Sequence, residues 1–318
     1  MTRLSEFDLI EKLFAPLATS PGAFGLKDDV ATVAERRGCE LVVTADAVVA
    51  GVDFFPGDPA PGVAKKALRV NLSDLAAKGA EPFGYLLTLL IPREIGRAYL
   101  KEFAEGLAQD QERFGVSLLG GDMSATPGPL SIAITAFGHV PAGRLVRRSG
   151  ARAGDLVFVT GTIGDSGGGL ALLKEPALSS SASAHDSLIG RYRLPEPRIA
   201  FAPAVRDASA SIDISDGLLA DLGHVAEASG VRIVVAADRI PRSPELKALW
   251  GDGEEAIVRA AAAGDDYEIA FTAPTLIQDA QTPVTCIGRV EQGSGVELLD
   301  AAGREIATPR KGYRHFER

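Results

Sequence analysis

The chain has 318 residues, of which 46% are hydrophobic and 24% are charged, and its formal net charge is −9. This is the composition of a globular protein with a sizeable core, and the length predicts two domains. The acidic balance argues against a basic surface for nucleic acid or an anionic membrane, but not against an anionic small substrate, because metal ions reverse the charge of a site locally.

The first half of the chain alternates between strand-like and helical periodicity. Apolar runs predict four strands, at 41–49, 82–92, 116–122 and 130–140. Apolar residues at helical spacing predict two helices, at 62–80 and 94–115. The segment 141–154, "PAGRLVRRSGARAG", is rich in Gly, Pro and Arg and is the best candidate for a domain boundary. We therefore expect domains at 1–145 and 146–318, each of typical size.

The second half repeats this mixture of strands and helices. Strands are predicted at 155–161, 211–215, 231–237 and 267–273, and helices at 169–174, 217–229 and 254–264. Residues 174–190 carry a Ser/Ala run without apolar periodicity, which predicts a mobile surface loop. The fold class expected for both halves is mixed α/β, or α+β.

Two cysteines, Cys39 and Cys286, lie far apart in the sequence and form no metal-ligand or disulfide spacing. We expect two buried, reduced thiols. Charges interrupt the N-terminal segment "MTRLSEFDLIEKLF", so it does not resemble a signal peptide, and no apolar run reaches membrane-spanning length. A soluble, cytoplasmic protein is expected.

Aspartates recur where strands appear to end or turn. They are Asp28, Asp29, Asp46, Asp74, Asp122, Asp213, Asp216, Asp265 and Asp266. Each has a structural interpretation when taken singly. Asp-Gly pairs favour turns, Asp216 is suited to cap the helix that follows it, and Asp74 is suited to a surface pair with Lys78. Taken together, they lie where α/β folds place their ligands, at strand ends.

A converging group of carboxylates needs cations, because two like charges about 4 Å apart repel by roughly 4 kcal/mol at an effective dielectric constant of 20. All-oxygen ligands favour Mg²⁺ or Ca²⁺ over zinc. Magnesium suggests a phosphorylated nucleotide, and "VTGTIGDSGGG" (159–169) is either a phosphate-binding turn or a plain tight turn. Arg147 and Arg148 are equally suited to phosphate recognition and to a solvated basic turn.

The collinear motifs "DD…TAD…NLSDLAAKGAEP…GGD…RSG…GD…DISDGL…DL…GDDYE…IG" resemble those of the thiamine-monophosphate kinases, in the aminoimidazole-ribonucleotide synthetase superfamily. The resemblance runs from "FDLIEKLF" to "KGYRHF". It implies an N-terminal domain that dimerises, forms a β-barrel across the interface and binds ATP and Mg²⁺. It also implies a C-terminal α/β domain that completes the active site, with direct in-line transfer of the γ-phosphoryl group of ATP to thiamine monophosphate.

The resemblance also implies roles for individual residues, with several Mg²⁺ ions and no base or covalent nucleophile. The implied metal ligands are Asp29, Thr44, Ala45 (through its carbonyl oxygen), Asp46, Asp74, Asp122, Asp213 and Asp216. The implied ATP contacts are Gly121, Asp122, Arg148 and Ser215. The implied substrate contacts are Asp53, Asp265 and Tyr313.

The sequence departs from the family pattern at three places. Lys27 stands where the family usually has Gly, Asp53 where it has His, and Asp265 where it has Glu. Two other hypotheses remain open. One is an ATP-dependent ligase resembling aminoimidazole-ribonucleotide synthetase, acting on an amide or formyl oxygen. The other is a metal or nucleotide sensor that does not turn over.

Overall fold

The computed structural model describes residues 6–178, 182–308 and 312–313. The chain divides into two compact units. The first comprises residues 1–75 and 80–143, and the second comprises residues 76–79 and 144–318. The short segment 76–79, at the end of a long helix of the first half, therefore groups with the second unit.

The first unit is built on one four-stranded sheet. Its strands are β1 (Cys39–Val49), β2 (Glu81–Pro92), β3 (Ser117–Thr126) and β4 (Ser131–Pro141). Their order across the sheet is β1-β4-β2-β3, with β2 and β3 parallel and the other pairs antiparallel. The helices are α1 (Glu6–Leu9), α2 (Ala60–Ala77) and α3 (Arg97–Phe114). A π-helix (Ile10–Phe14) and two 3₁₀ segments (Ala15–Leu17 and Pro21–Leu26) lie between α1 and β1.

The two long helices of the first unit are joined by a buried ion pair. Arg69 of α2 donates from Nε to Asp110 Oδ2 of α3 at 2.7 Å and from Nη2 to Oδ1 at 2.9 Å. The bidentate geometry matches the planar guanidinium to the carboxylate. At the edge of the sheet, by contrast, Leu41 and Val43 of β1 are 50% and 53% exposed. Among the described residues of the single chain, the sheet is open rather than closed into a barrel.

The second unit contains a six-stranded sheet. Its strands are β5 (Leu156–Thr160), β6 (Ala210–Asp213), β7 (Arg232–Ala236), β8 (Ile269–Ala273), β9 (Val284–Glu291) and β10 (Gly295–Leu299). Their order is β10-β7-β9-β5-β8-β6, and only β10 and β7 pair in parallel. The helices are α4 (Asp165–Lys174), α5 (Ala182–Arg193), α6 (Ala202–Val205), α7 (Leu218–Ser229), α8 (Pro244–Trp250) and α9 (Glu254–Ala261). Three 3₁₀ segments (Pro176–Leu178, Ile199–Phe201 and Ala237–Arg239) connect them.

The core of the second unit explains one wrong prediction. The expected mobile loop over 174–190 is a helix from residue 182 onward, and residues 179–181 lie outside the described part of the chain. Leu188 and Ile189 of α5 are buried in a cluster with Leu172 of α4 and Leu246 of α8. These contacts come from other parts of the chain, so tertiary packing overrides the weak local periodicity.

The other predicted elements are confirmed with small shifts at their ends. The helix predicted at 62–80 ends at Ala77, and the helix predicted at 94–115 begins at Arg97. Both cysteines are free, as expected, but each is half-buried rather than fully buried. None of the helices in the described part of the chain has the length and hydropathy to span a membrane.

Candidate active site

In the first unit, β1 and α2 bring together three of the expected metal ligands. Thr44 Oγ1 donates to Asp74 Oδ2 at 2.5 Å, which links the strand to the helix. Asp46, two residues after Thr44, has its side chain on the same face of β1, because side chains alternate along a strand. Ala45 faces the other side of the sheet, opposite Thr135 in the ladder with β4.

The negative charges of this group act on one another. Asp46 is accessible to solvent, yet protein atoms crowd its carboxylate. This partial desolvation, followed by the charges of Asp74 and Asp53, raises the pKa of Asp46 to about 6. A carboxylate whose ionised form is disfavoured in this way gains a strong interaction from a nearby cation.

A cavity of about 670 Å³ in the first unit holds a further part of the expected site. Its walls include Asp29, Gly121 and Asp122 together with the apolar side chains of Phe14 and Phe137. Asp29 and Asp122 are both exposed. Gly121 is required by the sheet, because a Cβ there would lie 1.8 Å from the carbonyl oxygen of its neighbour on β2. The cavity therefore combines anionic groups with an apolar wall.

Asp53 lies in the turn that follows β1. Its Oδ2 accepts a hydrogen bond from the backbone N–H of Val49 at 2.8 Å. The backbone carbonyl of Asp53 accepts one from Lys66 Nζ at 2.7 Å, and Lys66 is 2% exposed. The half-buried carboxylate thus caps the turn, and a buried lysine on α2 supports the backbone of the same residue.

In the second unit, the expected ligands Asp213 and Asp216 flank Ser215 in the sequence, at the junction of β6 and α7. Asp213 is the last residue of β6, is 5% exposed and pairs with Ile269 of β8. Ser215 and Asp216 are half-buried in the loop that follows. Gly217 ends the loop with φ 125° and ψ 149°, a conformation that essentially only glycine adopts. The sequence "DISDG" therefore encodes both the carboxylates and the turn that carries them.

The side chain of Asp221, in the first turn of α7, is hydrogen-bonded to the backbone of this loop. Its Oδ2 accepts hydrogen bonds from the backbone N–H groups of Ser215, Asp216 and Gly217, each at 3.1 Å. Asp221 is 2% exposed, and its pKa is raised to about 7 by burial first and by the charge of Asp216 second, while the three N–H donors act in the opposite direction.

The two expected substrate contacts of the second unit lie beside the same loop. The N–H of Asp265 donates to the carbonyl of Ser215 at 2.8 Å, and the N–H of Tyr313 donates to the carbonyl of Asp216 at 2.9 Å. Asp265 and Tyr267 have φ of 65° and 52°, in the left-handed region that non-glycine residues rarely occupy. Strain of this kind clusters at ligand-binding sites.

The segment that carries Asp265 is anchored by a buried carboxylate. Glu268 is completely buried and accepts hydrogen bonds from Thr160 Oγ1 at 2.7 Å, Arg191 Nη2 at 2.8 Å and Arg198 Nε at 2.6 Å. Two guanidinium groups therefore compensate one buried negative charge, as burial of an ion requires.

The glycine-rich turn at 159–169 is not the open phosphate cradle that one interpretation suggested. The carboxylate of Asp266 already accepts hydrogen bonds from the N–H groups of Gly164 at 2.6 Å and Ser166 at 3.2 Å. Asp266 is 1% exposed, and burial raises its pKa well above the usual value. Two N–H groups at the start of α4, those of Gly164 and Ser166, are thus taken by an internal anion. Arg147 and Arg148 are exposed, and the backbone carbonyl of Arg148 accepts from Ser229 Oγ at 3.1 Å.

Each unit contains a group of oxygen donors that fits Mg²⁺. In the first unit it consists of the oxygens of Thr44, Asp46 and Asp74, and in the second of the carboxylates of Asp213 and Asp216. Hard oxygen donors of this kind suit Mg²⁺, which needs only one or two carboxylates and keeps several waters. A second combination in the second unit, Asp216, Asp221 and His224, has ligand atoms within 4.8 Å of one another.

Four residues with clear structural roles were not predicted as part of the site. Asn71 was missed although it lies three residues before Asp74 on the same helix face. It is fully buried, donates to the carbonyl of Ala67 and accepts from the N–H of Asp46 at 3.0 Å. The others are Lys66 and Asp221, together with Asp266, which belonged to the predicted set of aspartates but was given no role of its own. The polar residues in apolar helical patterns were the available signal for Lys66, Asn71 and Asp221.

Comparison with known proteins assigns the chain to a family. Residues 27–140 match the model of the AIR synthase related protein N-terminal domain, and residues 152–305 match that of the C-terminal domain. The thiamine-monophosphate kinase of Caulobacter vibrioides is 42% identical over 325 residues, covering 98% of this chain and 91% of the relative. The chain belongs to the thiamine-monophosphate kinase family.

Solved structures of thiamine-monophosphate kinases share the fold. The crystal structure of the enzyme from Stenotrophomonas maltophilia is 38% identical, with a TM-score of 0.78 over 86% of this chain and 89% of that one. The structure of AaThiL complexed with AMPPCP and TMP is 34% identical, with a TM-score of 0.81 over 99% of both chains. The expected fold of two domains of this family is confirmed at this level.

Proposed function

We propose that this protein catalyses the reaction of its family, the ATP-dependent phosphorylation of thiamine monophosphate to thiamine diphosphate, in the cytoplasm where ATP is available. The observation that carries the proposal is full-length similarity to AaThiL, a protein solved with AMPPCP and TMP. The contacts of Asp265 and Tyr313 with the "DISDG" loop support it, because they join expected substrate residues to expected metal and ATP residues within one unit.

Within the first unit, Asp29, Thr44, Asp46, Asp74 and Asp122 hold Mg²⁺, with the carbonyl oxygen of Ala45. Gly121 and Asp122 line the cavity that takes part of ATP. Its apolar wall at Phe14 and Phe137 suits a base, and its carboxylates suit metal-bound phosphates. The raised pKa of Asp46 supports this role, because the crowded anions need a cation.

Within the second unit, Asp213 and Asp216 hold Mg²⁺, and Ser215 and Arg148 contact ATP. Bound Mg²⁺ supplies charge neutralisation for the phosphates. The residues of the chain orient the two substrates so that the attacking phosphate oxygen lies in line with the leaving group. The acceptor is already an anion, so no base or covalent nucleophile is needed.

Asp53, Asp265 and Tyr313 contact thiamine monophosphate. An acidic side chain suits the positive thiazolium ring, and exposed Tyr313 offers an aromatic face to a cation. Asp265 lies in a fixed, strained backbone conformation, which suits a residue that positions a ligand.

A coupled assay for ADP release tests the function. Thiamine monophosphate, thiamine and the substrates of aminoimidazole-ribonucleotide synthetase are compared side by side, with Mg²⁺ and with EDTA. We expect turnover only with thiamine monophosphate and Mg²⁺, and added Mg²⁺ should restore the activity that EDTA removes. Turnover with the synthetase substrates alone would favour a ligase, and full activity in EDTA would refute the metal assignment.

The first unit also supports a homodimer in which the sheet closes into a barrel with its counterpart. Strand β1 lies at an edge of the open sheet and exposes Leu41 and Val43, and Val30 is 64% exposed nearby in the sequence. An apolar edge strand of this kind is normally covered by a partner. Light scattering should give about twice 33.2 kDa, and Val43→Lys should shift the mass toward the monomer. A wild-type monomer at micromolar concentration would contradict the proposal.

A further inference from the structure

The loop between β6 and α7 has an unusual support. A helix usually begins with a residue whose side chain accepts a hydrogen bond from the first N–H groups. Here the N-cap is Gly217, which has no side chain to accept one. Instead, the carboxylate of Asp221, a residue of the helix itself, binds the preceding loop. One of its oxygens accepts hydrogen bonds from three consecutive backbone N–H groups, each at 3.1 Å.

Two of these three N–H groups belong to Ser215 and Asp216. Their side chains are the ones assigned to ATP and to Mg²⁺ under the proposed function, on which this inference rests. The third group belongs to Gly217, whose backbone conformation sets the direction of the loop. A single buried side chain therefore fixes the backbone of an expected ligand, its neighbour and the turn after them.

The same contact determines which charge the loop attracts. Free N–H groups at the start of a helix form a site for anions such as phosphate. Asp221 occupies the N–H groups of Ser215, Asp216 and Gly217, which immediately precede α7, so residues 215 and 216 present side-chain oxygens rather than these backbone hydrogens. Asp266 does the same for Gly164 and Ser166 at the start of α4. The structure thus favours cation binding at the β6–α7 loop.

We propose that Asp221 is a positioning residue, which orders residues 215–217 so that Asp216 binds Mg²⁺ without Asp221 itself acting as a ligand. The alternative is that Asp221, Asp216 and His224 bind one ion directly, since their ligand atoms lie within 4.8 Å of one another. The two roles differ in what they require of position 221. Positioning requires a hydrogen-bond acceptor, whereas direct ligation to Mg²⁺ favours a carboxylate.

The test compares Asp221→Asn, which keeps an acceptor oxygen, with Asp221→Ala, which removes it. Hydrogen exchange of the 215–217 amides is measured without metal, and Mn²⁺ binding, as a substitute for Mg²⁺, is followed by electron paramagnetic resonance. Because removal of a residue that orients a metal ligand typically weakens metal binding about 10–100-fold, we expect that loss with Asp221→Ala and a change within about threefold with Asp221→Asn. Amide exchange should accelerate strongly only in Asp221→Ala.

Three controls make the result specific. Asp155→Ala removes another buried carboxylate that accepts a backbone N–H in a turn, from Arg152 at 3.0 Å. It should lower the melting temperature without changing Mn²⁺ affinity. Asp216→Asn gives the reference value for a lost ligand. His224→Asn should leave Mn²⁺ binding unchanged, and weaker binding would favour direct ligation.

Several results would overturn the proposal. Mn²⁺ binding as weak in Asp221→Asn as in Asp221→Ala would show that the charge itself is required. Unchanged exchange and binding in Asp221→Ala would show that the contact has no positioning role. If Asp221→Ala does not fold, rapid exchange of the 215–217 amides in the wild-type protein would be decisive against it. None of these measurements uses thiamine monophosphate or ATP, so they stand apart from a failure of the proposed reaction.

Discussion

Asp46 and Asp74 of the first unit are side chains on regular elements, whereas Asp216 of the second unit is carried by an irregular loop that begins at Asp213, the last residue of β6. Asp46 and Asp74 extend from a strand and a helix, and a single hydrogen bond from Thr44 joins the two elements. The loop at Asp213 and Asp216 is instead held through its backbone, by Asp221 and by the segment around Asp265.

This difference shows two ways of keeping like charges together. The first unit leaves Asp46, Asp122 and Asp29 accessible to solvent, which lowers the cost of their charge. The second unit buries Asp213 and Asp221 and compensates Asp221 with three backbone N–H groups. We therefore expect the first group to depend on the cation for its charge balance and the second to be ordered before the cation binds.

The largest expected effect comes from removing one carboxylate in each region. Asp74→Asn and Asp213→Asn should each lower kcat by about 10²–10³, because the loss of one electrostatic stabiliser typically has that effect. Steady-state kinetics with thiamine monophosphate and Mg²⁺-ATP measure this loss, and circular dichroism shows whether the variants stay folded. The melting temperature should change more for Asp213→Asn, since Asp213 is 5% exposed and Asp74 is only half-buried.

The matched control is Asp252→Asn, because the side chain of Asp252 is 73% exposed and pairs with Arg242. It should change neither kcat nor the melting temperature. A folded variant at position 74 or 213 with near-normal turnover would remove that residue from the metal site. For Asp74, a surface pair with Lys78 would then be reconsidered, although Lys78 Nζ donates to the carbonyl of Ser211 at 2.5 Å.

The same contrast explains which parts of the site could be predicted from the sequence. Strand ends and acidic motifs predicted Asp46, Asp74, Asp213 and Asp216 as a set, because these signals are local. The support by Asp221 depends on how the chain folds back at Gly217, and the filling of the α4 terminus by Asp266 joins residues about 100 positions apart. Periodicity carries no such information. The helix α5 was missed for the same reason, since only its packing on α4 and α8 defines it.

A second prediction concerns stability in the absence of metal. The pKa of Asp221 is about 7 in the folded protein and roughly 3.9 in an unfolded chain. The folded state therefore binds the proton on the Asp221 carboxyl more tightly than the unfolded chain does. The stability that this protonation contributes is present below pH 4 and is lost as the pH rises through 7. In EDTA, the free energy of unfolding should fall over this window, and Asp221→Asn should remove on the order of 2–4 kcal/mol of that fall, since one pKa unit corresponds to about 1.4 kcal/mol.

Urea unfolding at pH 4.5 and pH 7.5 measures this effect. Asp46→Asn provides the comparison from the first unit and should change the pH dependence less. The carboxylate of Asp46 is more accessible to solvent, and its pKa is raised only to about 6. Equal effects for the two variants would mean that the loop of the second unit is no more desolvated than the strand of the first.

The smallest expected effect is at Asp53, the acidic residue in the turn after β1. Its carboxylate caps the turn through Val49, and Lys66 binds its backbone carbonyl, so the structure gives the side chain a local role. Asp53→Asn keeps an oxygen that can accept the hydrogen bond from Val49, and it removes the negative charge that would attract the thiazolium ring. We expect kcat to stay nearly intact and KM for thiamine monophosphate to change by less than about tenfold, which is under roughly 1.4 kcal/mol. Asp53→His should do the same with a small loss of melting temperature, because His replaces the cap less well. A thousandfold fall in kcat at unchanged KM would instead place Asp53 with Asp46 among the metal ligands, and the first unit would then hold its cation with more carboxylates than its exposed strand suggests.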